Sequence, residues 1–268
     1  TAFFTDIQSF SAFSEKLSAS DLVSLLNNYL TEMTDILMEN SGTLDKYIGD
    51  AIVAFYGAPI DVKEHELMAC RTAIKMQERL AELREQWQAE GDRWPEIVHH
   101  MQNRIGINTG QLVTGNMGSE SRMNYTMMGD TVNLAARLES SAKQYGIYIQ
   151  IAESTYQAIQ DKIVVRALDF VQVMGKEEPV KVFELISEIG KEPEPYKKIL
   201  PAFHEGIELY FNQDWDKAKE AFKASNDLEE MFPGRKTNPS RVYIARCEHF
   251  KANPPGDNWD GVWVHTSK

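Results

Sequence analysis

The sequence predicts an α+β domain, with helices on one face of a mainly antiparallel sheet, followed by a small helical extension. Three observations carry that prediction. Short apolar runs alternate with amphipathic helical stripes in the order β-α-α-β-β-α-β, with further strands and helices after them. Two of the apolar runs, Tyr47-Ile48 and Ala51 to Phe55, are separated only by Gly49-Asp50, the pattern of a two-residue β-hairpin turn. Beyond a charged, proline-bearing stretch at residues 188–195 the periodicity becomes wholly helical, so the expected division is 1–187 and 188–268.

Size and composition narrow the function classes. The 268 residues suffice for one large domain, or a medium one with an extension. Composition, 43% apolar and 25% charged, is that of a soluble globular protein. The longest nearly apolar run, Ala51 to Ile60, contains Gly57 and Pro59 and falls well short of the roughly 20 residues of a membrane helix. No membrane insertion is therefore expected in this segment. Thr1 falls inside a strand-like run with no charged leader, so the N-terminal edge reads as truncated, with a regulatory domain expected upstream. A net charge of −12 argues against general nucleic-acid affinity. It leaves room for a nucleotide substrate whose charge is met locally by metal ions. Cys70 and Cys247 lie far apart without a paired spacing, which fits a reducing, cytoplasmic setting, either free or as the cytosolic part of a membrane-anchored protein.

Each element has its own signal. Ala2-Phe3-Phe4 leads into Thr5-Asp6-Ile7, a short strand ending on an acid. A brief helix is expected over 9–17. Ser20 or Asp21 then caps an amphipathic helix bearing Leu22, Leu25, Leu26, Tyr29, Leu30, Met33, Ile36 and Leu37 on one face, with Gly42 as its stop. Gly49 before Asp50 suits a type II′ turn. After Gly57-Ala58-Pro59 a long helix runs from about Val62 to Glu90, with Ala73, Met76, Leu80, Leu83 and Trp87 as its apolar stripe. Strands are expected over Ile97 to Asn108 and Gln111 to Asn116, then a polar loop from Gly118 to Met123. Gly129-Asp130 opens a helix closed by Gly146. Strand, short helix and two strands follow at 147–151, 154–160, 163–173 and 180–186.

This order brings two acids together. In a βαββαβ unit the first and third strands are antiparallel neighbours, so the end of the first lies beside the start of the third. Asp6 and Asp50 occupy those two ends. Convergent carboxylates on rigid backbone suit a two-metal phosphoryl-transfer site, and magnesium completes its shell with water and substrate phosphates. Asn133 and Arg137, at i and i+4, project from one face of a helix.

FFTDIQSFS, KYIGDAIVAFYG and NYTMMGDTVNLAARLES resemble, in that order, the motifs of class III nucleotidyl cyclases, and GINTGQLVTGNMGS between the last two is similar as well. The resemblance covers roughly residues 1 to 187. It implies a ferredoxin-like, palm-like βαββαβ core working as a head-to-tail homodimer, with active sites at the interface. It implies two Mg2+ or Mn2+ ions per site, held by Asp6, the Ile7 backbone carbonyl and Asp50. Lys46 and Thr126 match the base-reading pair, Asn133 and Arg137 the transition-state pair, and Lys176 a phosphate-contacting lysine. Arg137 would offset charge on the α-phosphate while Asn133 holds the ribose.

Adenine presents N1 as acceptor and N6 as donor, which Lys46 and the Thr126 hydroxyl can both match; guanine would prefer an acid at the lysine position. The family's most frequent residue at the Thr126 position is Asp. Threonine resembles a subgroup expected to use ATP, some members of which respond to bicarbonate. The expected activity is therefore an adenylate cyclase, with a guanylate cyclase or a catalytically silent dimerisation domain as alternatives. His99-His100 reads as part of a strand, which would turn the two rings to opposite sides. Gly115 to Gly118 lacks the lysine of a P-loop. The W-D-K-A-K-E-A-F pattern resembles one tetratricopeptide helix, and a single copy is expected to act as a helical cap.

Overall fold

The computed structural model describes residues 1–171, 179–256, 259, 261 and 263. The chain divides into two compact units, one of Thr1–Ala142 with Tyr148–Gln160, the other of Lys143–Ile147 with Asp161–Lys268.

In the first unit, β1 (Ala2–Ile7), α1 (Phe10–Ser14) and α2 (Ala19–Glu39) lead into the hairpin of β2 (Thr43–Ile48) and β3 (Ala51–Phe55). Then follow α3 (His65–Ala89), α4 (Glu96–His99) and β4 (Asn103–Asn108). The strands lie in the order β2-β3-β1-β4, the order of a βαββαβ unit, with β1 antiparallel to both β3 and β4. Phe3 sits opposite Ala54, and Asp6 opposite Arg104. A second segment contains the separate hairpin of β5 (Val113–Ser119) and β6 (Arg122–Met128), then α5 (Asp130–Tyr145), β7 (Ile149–Ala152) and α6 (Glu153–Ile159). β7 extends the sheet parallel to β4.

The helices are held by apolar burial. α2 buries Leu25, Tyr29, Met33 and Leu37, and α3 buries Leu67, Cys70, Ala73, Met76, Leu80, Leu83 and Trp87. Each large apolar side chain so buried contributes about 1.5–3 kcal/mol. α5 packs directly on β4, where a Cβ on Gly106 would lie 2.3 Å from the Ala135 carbonyl oxygen and the Glu139 nitrogen. Only a glycine permits that approach, and it fixes the helix carrying Asn133 and Arg137.

Several local expectations change. The cap of α2 is Ser18, whose hydroxyl accepts from the Asp21 backbone N–H, rather than Ser20 or Asp21. The left-handed residue ending α2 is Ser41, while the Gly42 N–H closes onto the Leu37 carbonyl oxygen. Residues 97–100 do not form a strand. Pro95 precedes a one-turn helix over Glu96–His99, with His100 as its C-terminal cap, so the opposed-rings argument for the two histidines does not apply. The stretch expected as a polar loop instead continues the β5–β6 ladder, in which Ser119 pairs with Arg122.

In the second unit, β8 (Ile163–Val171) and β9 (Val180–Glu188) are antiparallel, followed by α7 (Tyr196–Phe211), α8 (Trp215–Asn226) and α9 (Pro239–Ala252). Phe203, Tyr210, Phe222 and Tyr243 form its aromatic core. Arg166 on β8 is fully buried and pairs with Glu184 of β9 and with Glu229 beyond α8. Asp169 of β8 accepts from Tyr145 Oη and Arg246 Nη2. Contacts therefore group β8 and β9 with the three helices, although composition changes only at 188–195. Among the described residues no helix is long and apolar enough to cross a membrane.

Candidate active site

The β2–β3 turn positions the first acid. Gly49 has φ +64°, and Asp50 is not among the positive-φ residues, as the type II′ pattern requires. The side chain of Asp50 turns inward. The residue is only 8% exposed, and its Oδ2 accepts the Ile7 backbone N–H at 2.9 Å. Burial pushes the Asp50 carboxyl up to about 6; the Ile7 hydrogen bond opposes that shift, and the neighbouring Asp6 charge adds to it. Asp6, at the end of β1, is more open.

Arg104 had no assigned role in the sequence reading. From β4, directly across the ladder, its Nη2 donates to Asp6 Oδ2 and its Nε to Glu139 Oε1 on α5, both at 2.9 Å. The signal was there. Placing β4 in register with β1 puts Arg104 opposite Asp6, but a strand drawn from Ile97 hides that register.

The two carboxylates form a hard-oxygen donor set in a partly desolvated place. Burial and mutual repulsion both penalise the charge on Asp50, and a divalent cation would relieve both, so the residues fit such an ion. Among the described residues no group of three or more His, Cys, Asp or Glu side chains could hold a metal.

A second cluster joins β2 to β6. Lys46 Nζ donates to Thr126 Oγ1 at 3.2 Å, and Thr126 Oγ1 donates to Asp45 Oδ2 at 2.5 Å. Lys46 Nζ also lies 3.3 Å from Asp45 Oδ1. The Asp45 side chain is only 1% exposed, whereas that of Lys46 is 41% exposed. The β2–β3 register shifts between Leu44 and Lys46, a bulge at Asp45 that breaks strand alternation and lets both neighbouring side chains reach Thr126. Asp45 was missed by the sequence reading. Nothing about a lone acid before a lysine signals it until β6 is known to lie alongside.

Asn133 and Arg137 are both exposed on α5, on the side away from buried Leu134, Ala135 and Leu138. The structure thus brings Asp6 to Asp50 and Lys46 to Thr126, and leaves the helix pair facing outward. Lys176 lies outside the described residues.

The chain belongs to the adenylate and guanylate cyclase catalytic domain family, whose model matches residues 1–187. It is 35% identical over 251 residues to a terminal-differentiation-specific adenylate cyclase of Dictyostelium discoideum, covering 92% of this chain and 11% of that protein. That alignment runs past residue 187 into the helical extension. Adenylate cyclase 1 of Rhizobium meliloti (strain 1021) is 32% identical over 186 residues, 69% of this chain and 27% of the relative. The chain thus spans about a tenth to a quarter of the length of these curated relatives. Among solved structures, the adenylyl cyclase CyaB from P. aeruginosa aligns with TM-score 0.62 and 36% identity, over 72% of this chain and 95% of that one. The guanylyl cyclase Cya2 aligns with TM-score 0.61 and 32% identity, over 73% and 93% of the two chains. The family works with divalent metals.

Proposed function

We propose that this chain is the catalytic part of an adenylate cyclase, converting ATP to 3′,5′-cyclic AMP and pyrophosphate. The observation that carries the reading is the Lys46–Thr126 contact at 3.2 Å. An ammonium donor next to a hydroxyl oxygen complements the N1 acceptor and N6 donor of adenine. Guanine, with O6 and N1–H, would set a donor against the ammonium. Two Mg2+ or Mn2+ ions, held by Asp6, the Ile7 carbonyl and Asp50, would make the ribose 3′-hydroxyl more acidic, and so a better nucleophile, and would offset charge on the phosphates. Arg137 offsets charge on the α-phosphate as the 3′-oxygen bonds to phosphorus and the bond to pyrophosphate breaks. Asn133 holds the ribose, and Lys176 steadies the outer phosphates.

The outward-facing Asn133 and Arg137 support a site shared between two copies. One chain then contributes Asp6 and Asp50, and its partner Lys46, Thr126, Asn133 and Arg137, giving two sites in a C2 homodimer. Thr126 supports membership of the threonine-bearing subgroup. The division at 187/188, the tetratricopeptide-like cap, the upstream regulatory domain and the cytoplasmic setting belong to the same proposal. The test is chromatography of the products after incubation with ATP or GTP and Mg2+ or Mn2+. Cyclic AMP from ATP in excess over cyclic GMP from GTP is expected. A predominance of cyclic GMP makes the chain a guanylate cyclase, and no cyclic product from either makes it a silent domain.

A further inference from the structure

The hydroxyl of Thr126 poses a question that the base-reading role leaves open. A hydroxyl has one proton and two lone pairs, so in principle it welcomes either the N6 amino group of adenine or the O6 oxygen of guanine. A residue of that kind does not discriminate unless something fixes its proton. Here something does. Thr126 Oγ1 lies 2.5 Å from Oδ2 of Asp45, a carboxylate that can only accept. One lone pair of the same oxygen takes the Lys46 ammonium at 3.2 Å. One lone pair is left over, and it can only accept. Asp45 itself is buried, its side chain only 1% exposed, with Oδ2 bonded to Thr126 and Oδ1 within ion-pair distance of Lys46.

We infer that Asp45 is a specificity-determining positioning residue, which takes the Thr126 proton and so commits that hydroxyl to accept from the 6-amino group of adenine. It also steers Lys46, whose Nζ lies 3.3 Å from its Oδ1, so one buried carboxylate sets both halves of the reader. The guanine O6 then meets a lone pair rather than a proton. A site whose polar groups are fixed in this way rejects the wrong partner more strongly than a site with a free rotor, because no rearrangement relieves the mismatch. The inference rests on Lys46 and Thr126 being the base-reading pair.

The test compares kcat/KM for ATP and GTP in the dimeric enzyme. Asp45→Asn keeps the shape of the side chain and reverses the hydrogen bond. With Lys46 beside Oδ1, the amide oxygen turns to the ammonium and the NH2 group donates to Thr126, leaving the hydroxyl proton free to meet O6. The ATP-to-GTP ratio is expected to fall about tenfold, the size of one lost hydrogen bond together with one gained. General damage to the fold would lower both rates and leave the ratio alone. Asp45→Leu, which removes the acceptor altogether, serves where the asparagine variant does not fold, and it should lower the ratio in the same direction. In a Thr126→Ala background either substitution should change the ratio less than it does with the threonine present, since only the contact of Asp45 with Lys46 then remains. If Thr126→Ala lowers the ratio while the Asp45 variants keep the wild-type value, the positioning role is wrong and the base-reading pair stands. A Thr126→Ala enzyme with an unchanged ratio overturns the base-reading assignment, and the Asp45 inference with it.

Discussion

Replacing Asp50 by asparagine should stabilise the metal-free protein while stopping turnover. Burial penalises the charge of Asp50 and pushes its carboxyl up to about 6 from the usual 3.8. The folded state thus holds the proton more tightly than the unfolded chain does. Stability falls as pH rises from about 4 to about 6, and above that the whole penalty remains. Partial solvent screening leaves a penalty on the order of 2 kcal/mol. Asparagine carries no charge to desolvate, and its Oδ1 can still accept the Ile7 N–H. Thermal melts in EDTA at pH 7.5 should therefore show Asp50→Asn higher by roughly 5–10 °C, and melts at pH 4 should show the two proteins alike. Excess Mg2+ should raise the wild-type midpoint and leave the variant where it was. Turnover should drop by about 10²-fold or more. Equal midpoints at pH 7.5 in EDTA, or a variant keeping more than about a tenth of the wild-type rate, would refute the reasoning.

Three further outcomes are expected. Lys46→Glu with Thr126→Cys should shift the preference toward GTP, read as the ratio of cyclic products; an unchanged ratio in a folded protein moves base recognition elsewhere. Arg166→Met should cost about 3–5 kcal/mol, because Glu184 is left buried without its cation and Glu229 keeps only Arg235, and urea unfolding measures the loss. Restoring neutrality with Glu184→Gln and Glu229→Gln in the same chain should recover part of it; no recovery would mean the lost packing, not the charge, sets the cost. Arg104→Ala should weaken nucleotide turnover and lower the half-saturating magnesium concentration, since Asp6 loses the cation that competes with the metal; a magnesium titration of activity reports it, and an unchanged half-saturating concentration counts against the link.

The core of the site was legible because its signals are local. Gly49-Asp50 can only be a tight turn between two apolar runs, and antiparallel pairing of β1 with β3 follows from the βαββαβ order, so Asp6 and Asp50 could be brought together from sequence. The i, i+4 spacing of Asn133 and Arg137 likewise survives any error in the rest of the fold. Misses occurred where the answer depends on a neighbour distant in sequence. Asp45 matters only because β6 runs beside β2, and Arg104 only because β4 starts at Asn103 rather than at Ile97. The apolar Ile97-Val98 pair mimics a strand, while Pro95 before it starts a helical turn. Arg166, Asp169 and Arg246 look like surface charges in the sequence, and become buried partners only when β8, β9 and the last three helices pack together.

The shared site is tested most directly by mixing two inactive chains. Asp50→Asn lacks a carboxylate on one face of the proposed interface, and Arg137→Ala lacks the guanidinium on the other. Each homodimer should be nearly inactive. In a heterodimer one interface joins the intact carboxylates of one chain to the intact arginine of the other, and the second interface carries both lesions. Random pairing makes half the dimers mixed, each with one good site of two, so activity should return to about a quarter of wild type if the sites act independently. It should also fall on dilution as dimers dissociate. A mixture no more active than the sum of its two parents, with exchange of chains verified by mass, would place the whole site within one chain and contradict the account.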